Sequence, residues 1–199
     1  MYKHVFKPLT DILGALLLLP FVALVVIVFA PVIYFTDPGP IFYIAPRTGL
    51  LCQQFKMFKL RSMYKNAPDL RNADGSTYNA DDDPRVTPVG KLLRKTSIDE
   101  LPQLLNVLLG QMSFVGPRPT LGRDDIRFEQ LEGDFQHRFT VKPGITGYAQ
   151  AYFRNSIPQE QKFHWDAYYA DHVNALLDAK ILFRTFFAVV RDKNINTQN

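Results

Sequence analysis

From Ile12 to Phe35 the chain carries 24 consecutive residues without a charge, nearly all of them apolar. No other feature constrains the fold as strongly, because a soluble domain seldom holds so long an apolar stretch in one piece. At about 1.5 Å per residue a helix over it reaches about 36 Å, enough to cross a bilayer core. The run therefore predicts contact with a membrane. A cleavable signal peptide fits poorly. The stretch exceeds the usual apolar core, and Phe35-Thr36-Asp37-Pro38-Gly39-Pro40 follows it instead of a small-x-small site. Two arrangements remain: a single transmembrane helix, and a re-entrant helix–break–helix hairpin that leaves on the face it entered. Pro20 lies inside the run, where it removes a backbone donor and predicts a kink. Kinked helices still span membranes, so Pro20 does not choose. Lys3 and Lys7 precede the run, and Arg47, Lys56, Lys59 and Arg61 follow it, which suits a hairpin with both ends in the cytoplasm. Asp11 is placed to pair with Lys7 on one helix face. These residues leave span and hairpin open.

The rest of the chain reads as an ordinary folded domain. Its 199 residues, 47% hydrophobic and 21% charged, exclude a disordered or collagen-like polymer and fit one domain with a small appendage. A net charge of +4 suits an anionic partner, such as a phosphorylated substrate or lipid head groups. Nucleic-acid binding is not expected, because the basic residues are interspersed with acidic ones and no recognition motif is present. The single cysteine, Cys52, excludes an intramolecular disulfide and a multi-Cys metal site, and reads as a small apolar filler. His4, His137, His164 and His172 lack metal-ligand spacing. There is no P-loop, dinucleotide fingerprint, His-Glu-x-x-His or Gly-x-Ser-x-Gly.

Local signals place the elements. Thr36 to Pro40 is a turn, Ile41 to Ile44 a short strand, and Gln54 to Arg61 its hairpin partner. Residues 66–84 read as a polar surface loop whose Asp81-Asp82-Asp83 run is solvated and holds no metal. Residues 89–109 look helical, interrupted near Asp99 and stopped at Gly110. Residues 123–139 suggest another helix, Lys142 to Gly147 a rigid loop, and Gln159 to His172 a helix that packs Phe163, Trp165, Tyr168 and Tyr169. Asp178 is expected to cap a last helix over 179–192. Its Ile181, Leu182, Phe183, Phe186, Phe187, Val189 and Val190 are apolar, and Lys180, Arg184 and Arg191 basic. That pattern suits an anionic membrane surface and the domain core equally.

The densest chemistry lies in Arg94-Lys95-Thr96-Ser97-Ile98-Asp99-Glu100-Leu101-Pro102-Gln103. Ser97 and Glu100 have capping-box spacing, so a plain helix start is the simpler local reading. Pro102 strains a helix begun at Ser97 and moves the cap toward Asp99. Either way Asp99 lies near a helix N-terminus, where the dipole favours a carboxylate and a neighbouring phosphate. In Gly116-Pro117-Arg118-Pro119 two prolines restrain the backbone around Arg118, which suits bidentate phosphate recognition; a rigid turn with a solvated arginine reads as well. Lys59 and Arg61 add cations. Two carboxylates among cations fit phosphoryl chemistry, with the carboxylate as nucleophile or metal ligand and Mg²⁺ with Arg neutralising phosphate.

The stretch Lys91 to Pro119 resembles the bacterial sugar transferases, the monotopic phosphoglycosyl transferases that start glycan assembly on polyprenol phosphate. The similarity extends through Asp11 to Ala15, Asp37 to Pro40, Lys59 to Met63, Lys142 to Gly147, Arg154-Asn155 and Tyr168-Tyr169. It implies an α+β, helix-dominated fold. Residues 1–36 would form a re-entrant membrane helix–break–helix. Residues 37–199 would form a cytoplasmic catalytic domain with a small β-hairpin and amphipathic interfacial helices, on the inner membrane of a bacterium. It also implies a ping-pong transfer. A UDP-sugar, with an N-acetylated amino sugar favoured, binds with Mg²⁺ and Asp99 attacks the β-phosphate. UMP leaves, and polyprenol (undecaprenyl) phosphate takes the phosphosugar from Asp99. Glu100 would assist proton transfer or metal binding, with Asp99 also a metal ligand. Arg118, Lys59 and Arg94 would meet phosphate, and Arg154 the nucleotide-sugar end. Membrane lipids are the remaining partner. The family breaks its apolar segment at a Ser-Pro pair; here Leu19 precedes Pro20, about one turn earlier. The rival readings are a membrane-docked module that binds phosphorylated lipid without turnover, and a one-step transferase in which Asp99 only holds metal.

Overall fold

The computed structural model describes residues 1–70, 78, 80, 82–123, 125–154 and 156–190. A π-helical turn over Tyr2–Phe6 leads into α1 (Lys7–Thr36), followed by β1 (Phe42–Thr48), β2 (Gln54–Leu60), α2 (Pro88–Lys95) and α3 (Gln103–Leu108). Then come β3 (Ser113–Val115), β4 (Thr120–Leu121), α4 (Gly133–His137), β5 (Gly144–Thr146), α5 (Tyr148–Tyr152), α6 (Gln159–Asp171) and α7 (Ala175–Val190). The fold is helix-dominated α+β, as the sequence implies. Two small sheets are embedded in it: β2-β1-β4, antiparallel, and β3-β5, parallel.

α1 is long and apolar enough to cross a membrane. Its buried residues Lys7, Asp11, Ala15, Val22, Val25 and Ile33 recur at helical spacing and form one stripe. The rest of its surface is open, with Leu17 at 79% and Ile27 at 70% exposure. An apolar helix that protein covers on one stripe only has its remaining faces suited to lipid. The helix runs through Pro20 and Pro31, so the interruption expected at Pro20 is not a gap in the helix. Each proline removes one donor, and the neighbouring turns keep theirs.

Both ends of α1 are fastened to the same body. At its start, Lys7 Nζ donates to Asp178 Oδ2 at 2.7 Å, and the Tyr2 hydroxyl donates to the same oxygen at 2.7 Å. The Tyr169 hydroxyl donates to Asp178 Oδ1 at 2.6 Å. Just past its end, Arg61 donates to the carboxylate and carbonyl of Asp37. Between these points Ala15 and Val22 pack with Met57, Leu104, Val107 and Met112. Val25 and Ile33 pack with Leu60 and Leu93. A third cluster joins Val115, Val141, Tyr169 and Ile181. Each such buried aliphatic contributes about 1.5–3 kcal/mol.

The hairpin forms as expected but runs longer, with Tyr43 opposite Lys59 and Arg47 opposite Phe55. Several local expectations need correction. Lys7 pairs with Asp178, and Asp11 instead accepts from the Phe114 amide at 3.2 Å. Asp178 does not cap α7. It lies in the first turn, buried, while Asn174 Oδ1 accepts from the Leu177 amide. Lys142 to Gly147 contains β5, whose partner β3 is too distant in sequence for the pattern to show. Residues 123–139 form α4 and short 3-10 turns at Phe128–Gln130 and Arg138–Thr140, and no single helix. Asp83 is fully buried, because Arg85 clamps both its oxygens, while its neighbour Asp82 is exposed. Asp74-Gly75, Asp81, Asn155 and Arg191 lie outside the described residues.

Removing the Asp178 carboxylate leaves the Lys7 ammonium buried without a counter-charge. Asp178→Ala is expected to cost about 3–5 kcal/mol. The check is the urea midpoint in detergent solution, which should fall at unchanged slope.

Candidate active site

The site is assembled on segments that pack directly on α1. Thr87 begins α2 by accepting the Gly90 amide at 3.0 Å. Gly90 is required there: a Cβ would stand 1.9 Å from the Ser62 carbonyl oxygen. This close approach brings Arg94 Nε to Ser62 Oγ at 3.0 Å. After α2 the chain reverses at Ser97, whose φ of +56° is left-handed. A non-glycine residue held there stores local strain, a common property of active sites. A 3-10 turn over Ile98–Glu100 follows, and Pro102 opens α3. Asp99 and Glu100 therefore sit in a short turn between two helices. The capping box expected from Ser97 and Glu100 does not form.

The two adjacent carboxylates are treated oppositely. Glu100 Oε1 accepts from Lys59 Nζ at 2.6 Å and faces an Arg118 guanidinium nitrogen at 3.6 Å. Burial alone would raise its pKa, but Lys59 and Arg118 outweigh burial and hold it well below the usual carboxylate range. Asp99 is 7% exposed. Burial, helped by the charge of Glu100, pushes its carboxyl up to about 6, against Lys59, Arg94 and Arg118. Among the described residues no donor is hydrogen-bonded to the Asp99 carboxylate. Paired titratable groups driven apart in this way take different chemical roles. Glu100 is a fixed anion that orders two cations, and Asp99 is a largely buried carboxylate on the wall of the cleft.

Lys59, Arg94, Asp99, Glu100, Arg118 and Arg154 all line one open cleft of about 2060 Å³. Six residues singled out from sequence are thus brought to one cavity. They come from β2, α2, the 3-10 turn, the loop before β4 and the turn after α5. Arg154 also has a left-handed backbone, φ +52°.

Arg138 and Asp166 were missed by sequence reasoning. Arg138 is 3% exposed and its Nη2 donates to Asp166 Oδ2 at 2.8 Å and to the Arg118 carbonyl at 2.7 Å. Its guanidinium lies over the Phe163 ring, 4.7 Å from the centroid. The prolines restrain the Arg118 backbone from within the loop, and Arg138 holds it from outside. The two residues stand 28 positions apart on elements read separately as helix and aromatic packing, so no local pattern links them.

No cluster of three His, Cys, Asp or Glu side chains occurs among the described residues, so a cation cage made by protein alone is not present there. A small hard cation is held by one or two carboxylates together with substrate phosphates and water. Asp99, with no donor on it, fits that pattern.

An apolar membrane helix joined to a cleft with two unlike carboxylates among cations defines a membrane-associated protein equipped for an anionic substrate. The chain belongs to the bacterial sugar transferase family, whose family model matches residues 2–192. It is 39% identical over 196 residues to the uncharacterized sugar transferase EpsL of Bacillus subtilis, covering 98% of this chain and 92% of that one. It is 35% identical to the UDP-N-acetylgalactosamine-undecaprenyl-phosphate N-acetylgalactosaminephosphotransferase of Aeromonas hydrophila, covering 90% and 42%. It is 38% identical to the UDP-glucose:undecaprenyl-phosphate glucose-1-phosphate transferase of Klebsiella pneumoniae, covering 92% and 40%. The chain spans about two-fifths of the length of these last two relatives.

The asymmetry of the carboxylates is directly measurable. In ¹³C NMR of aspartate-labelled protein, Asp99 should titrate near 6. Glu100→Gln should lower that midpoint, because it removes the neighbouring anion and frees Lys59 and Arg118 to favour ionised Asp99. Lys59→Met should raise it.

Proposed function

We propose that the chain transfers a sugar phosphate from a UDP-sugar to polyprenyl phosphate, giving polyprenyl-diphosphate-sugar and UMP. The observation that carries this reading is the pairing of a raised Asp99 with a depressed Glu100 among Lys59, Arg94 and Arg118, in one cleft beside an apolar helix. The activities of the Aeromonas and Klebsiella relatives support it, sharing UDP donor and undecaprenyl phosphate acceptor while differing in sugar.

In the first half-reaction an Asp99 carboxylate oxygen attacks the β-phosphorus of the UDP-sugar. The bond from that phosphorus to the bridging oxygen breaks, and UMP leaves with the electron pair. A phosphosugar remains esterified to Asp99. In the second, an oxygen of polyprenyl phosphate attacks the same phosphorus and the Asp99 carboxylate is released. A desolvated carboxylate without hydrogen-bond donors is a better nucleophile than a solvated one. Arg118, restrained by Pro117, Pro119 and Arg138, offers a pre-organised fork for phosphoryl oxygens, and Lys59 and Arg94 add charge stabilisation. Arg154 lies toward the nucleotide-sugar end. Asp99 is the residue that would hold Mg²⁺, and a bound cation would supply charge neutralisation for the phosphates.

The membrane arrangement belongs to the same reading. The 30 residues of α1 rise about 45 Å at most along the helix axis. The attachments Lys7–Asp178 and Asp37–Arg61 fasten both its ends to one globular body. That supports a monotopic element whose ends stay on one side, the cytoplasmic face, where UDP-sugars are found. The exposed apolar strip of α7, Leu176, Phe183 and Phe187, supports an interfacial role for that helix.

Asp99→Asn should reduce UMP release from UDP-sugar by about 10³-fold or more. Wild-type protein given UDP-sugar without acceptor should carry a phosphosugar adduct on Asp99, detected by mass spectrometry of the intact chain. Near-normal turnover by Asp99→Asn would sink the mechanism. The acid limb of the pH–rate profile should fall below about 6, where Asp99 becomes protonated and loses its attacking lone pair.

A further inference from the structure

The cleft that holds Asp99 does not end at the charged groups. It continues over Leu101 and Leu104, past Phe114 and Ile145, to Leu18 of α1 and to Leu182, Phe186 and Val189 of α7. One end is cationic and the other apolar. The apolar end is also open: Leu18 is 42%, Leu182 43% and Phe186 64% exposed.

α7 carries three strips. Asp178 and Ile181 are buried against the body. Leu176, Phe183 and Phe187, spaced by seven and four residues, form an outward strip. Leu182, Phe186 and Val189, spaced by four and three, form a third strip, and this one lines the cleft. Thr185 lies beside it and its hydroxyl meets that of Thr146 at 2.7 Å, which seats α7 against β5. The groove therefore has a floor of β3 and β5 residues, one wall on α1 and one on α7.

We propose that this groove takes the isoprene units nearest the phosphate of the polyprenyl acceptor, with Leu18 on one side and Leu182, Phe186 and Val189 on the other. The inference rests on the acceptor of the proposed reaction being a polyprenyl phosphate. Such an acceptor is an amphiphile whose tail lies in lipid while its phosphate must reach Asp99. The chain segment between those points has to be covered, because its exposure to water costs about 0.8 kcal/mol per CH₂. The groove supplies that cover. Its charged end, with Lys59 and Arg118, matches the head group, and its apolar end is walled by the helix whose outer faces suit lipid.

The test is photolabelling of the full chain in detergent micelles with undecaprenyl phosphate carrying a diazirine on the isoprene unit nearest the phosphate. The peptide spanning 182–189 should be labelled. Excess undecaprenyl phosphate should remove the label, and undecaprenol or phosphatidylglycerol should not. Equal labelling of that peptide by a diazirine phosphatidylcholine would mean that α7 merely lies in lipid, and an unlabelled α7 would mean that the tail runs elsewhere; either overturns the proposal. In kinetics, Leu182→Ala with Phe186→Ala should raise the acceptor KM about tenfold relative to the donor KM. Phe183→Ala, on the outward strip, should not. A competed label without any Asp99 adduct would count against the covalent mechanism and leave the groove standing. An Asp99 adduct with no label on α7 would do the reverse.

Discussion

The attachment of one apolar helix to one body at both ends sets the position of nearly everything else. Met57 and Leu60 of β2 reach successive patches of α1, the first beside Ala15 and Val22, the second beside Val25 and Ile33. Lys59 stands between them in sequence and is carried with them. Leu93 packs on Val25 and Ile33 and is followed at once by Arg94. Leu104 packs with Ala15 and Val22. Asp99 and Glu100 are strung between Leu93 and Leu104, so both ends of their turn are fixed on the membrane helix. The burial of apolar side chains along one stripe of α1 is thus what holds the charged groups of the cleft in place.

The two neighbouring carboxylates of the cleft are compensated unequally. Glu100 is a stable anion because Lys59 and Arg118 converge on it. Asp99 receives weaker compensation, and its pKa rises. Since its folded value lies above the unfolded one, the contribution of Asp99 to stability is fully present below the ordinary carboxylate range. It is lost as pH rises through about 6. At neutral pH the fold therefore holds a carboxylate in a place that disfavours its charge. The clamped neighbour keeps the cations from collapsing onto Asp99 and quenching it. Strain at Ser97, φ +56°, belongs to the same economy, since a relaxed turn would not present the pair in this way.

Much of this was legible in the residues, for definite reasons. The 24-residue apolar run, the alternation around Lys59 and the break near Asp99 are local patterns, and each became an element or its boundary. The six candidate residues were named from charge, proline restraint and family likeness, and they line one cleft. What escaped depends on contacts between distant segments. Asp178 looked like a helix cap because Asp often is one, but Lys7, Tyr2 and Tyr169 reach it from other elements. The Lys142 to Gly147 stretch looked like a loop because a three-residue parallel strand has too few positions to alternate. Asp83 looked solvated because its run is acidic, and only Arg85, two residues on, makes its burial tolerable. Arg138 carried no signal at all, since its partners Asp166 and the Arg118 carbonyl are both remote in sequence.

Asp178 also links the two walls of the groove. Its carboxylate holds Lys7 at the start of α1, and Leu182 follows it by one helical turn on α7. A helix anchored at one buried side chain cannot rotate about its axis without breaking that bond. Ile181 adds a second fixed point, fully buried, and the Thr146–Thr185 hydroxyl contact a third. With these in place the rotation of α7 is set, and Leu182, Phe186 and Val189 line the cleft. The ion pair that seats α1 and the apolar strip of α7 that lines the cleft are thus parts of one device. Any change in how α1 sits would be felt at α7 through a single buried carboxylate.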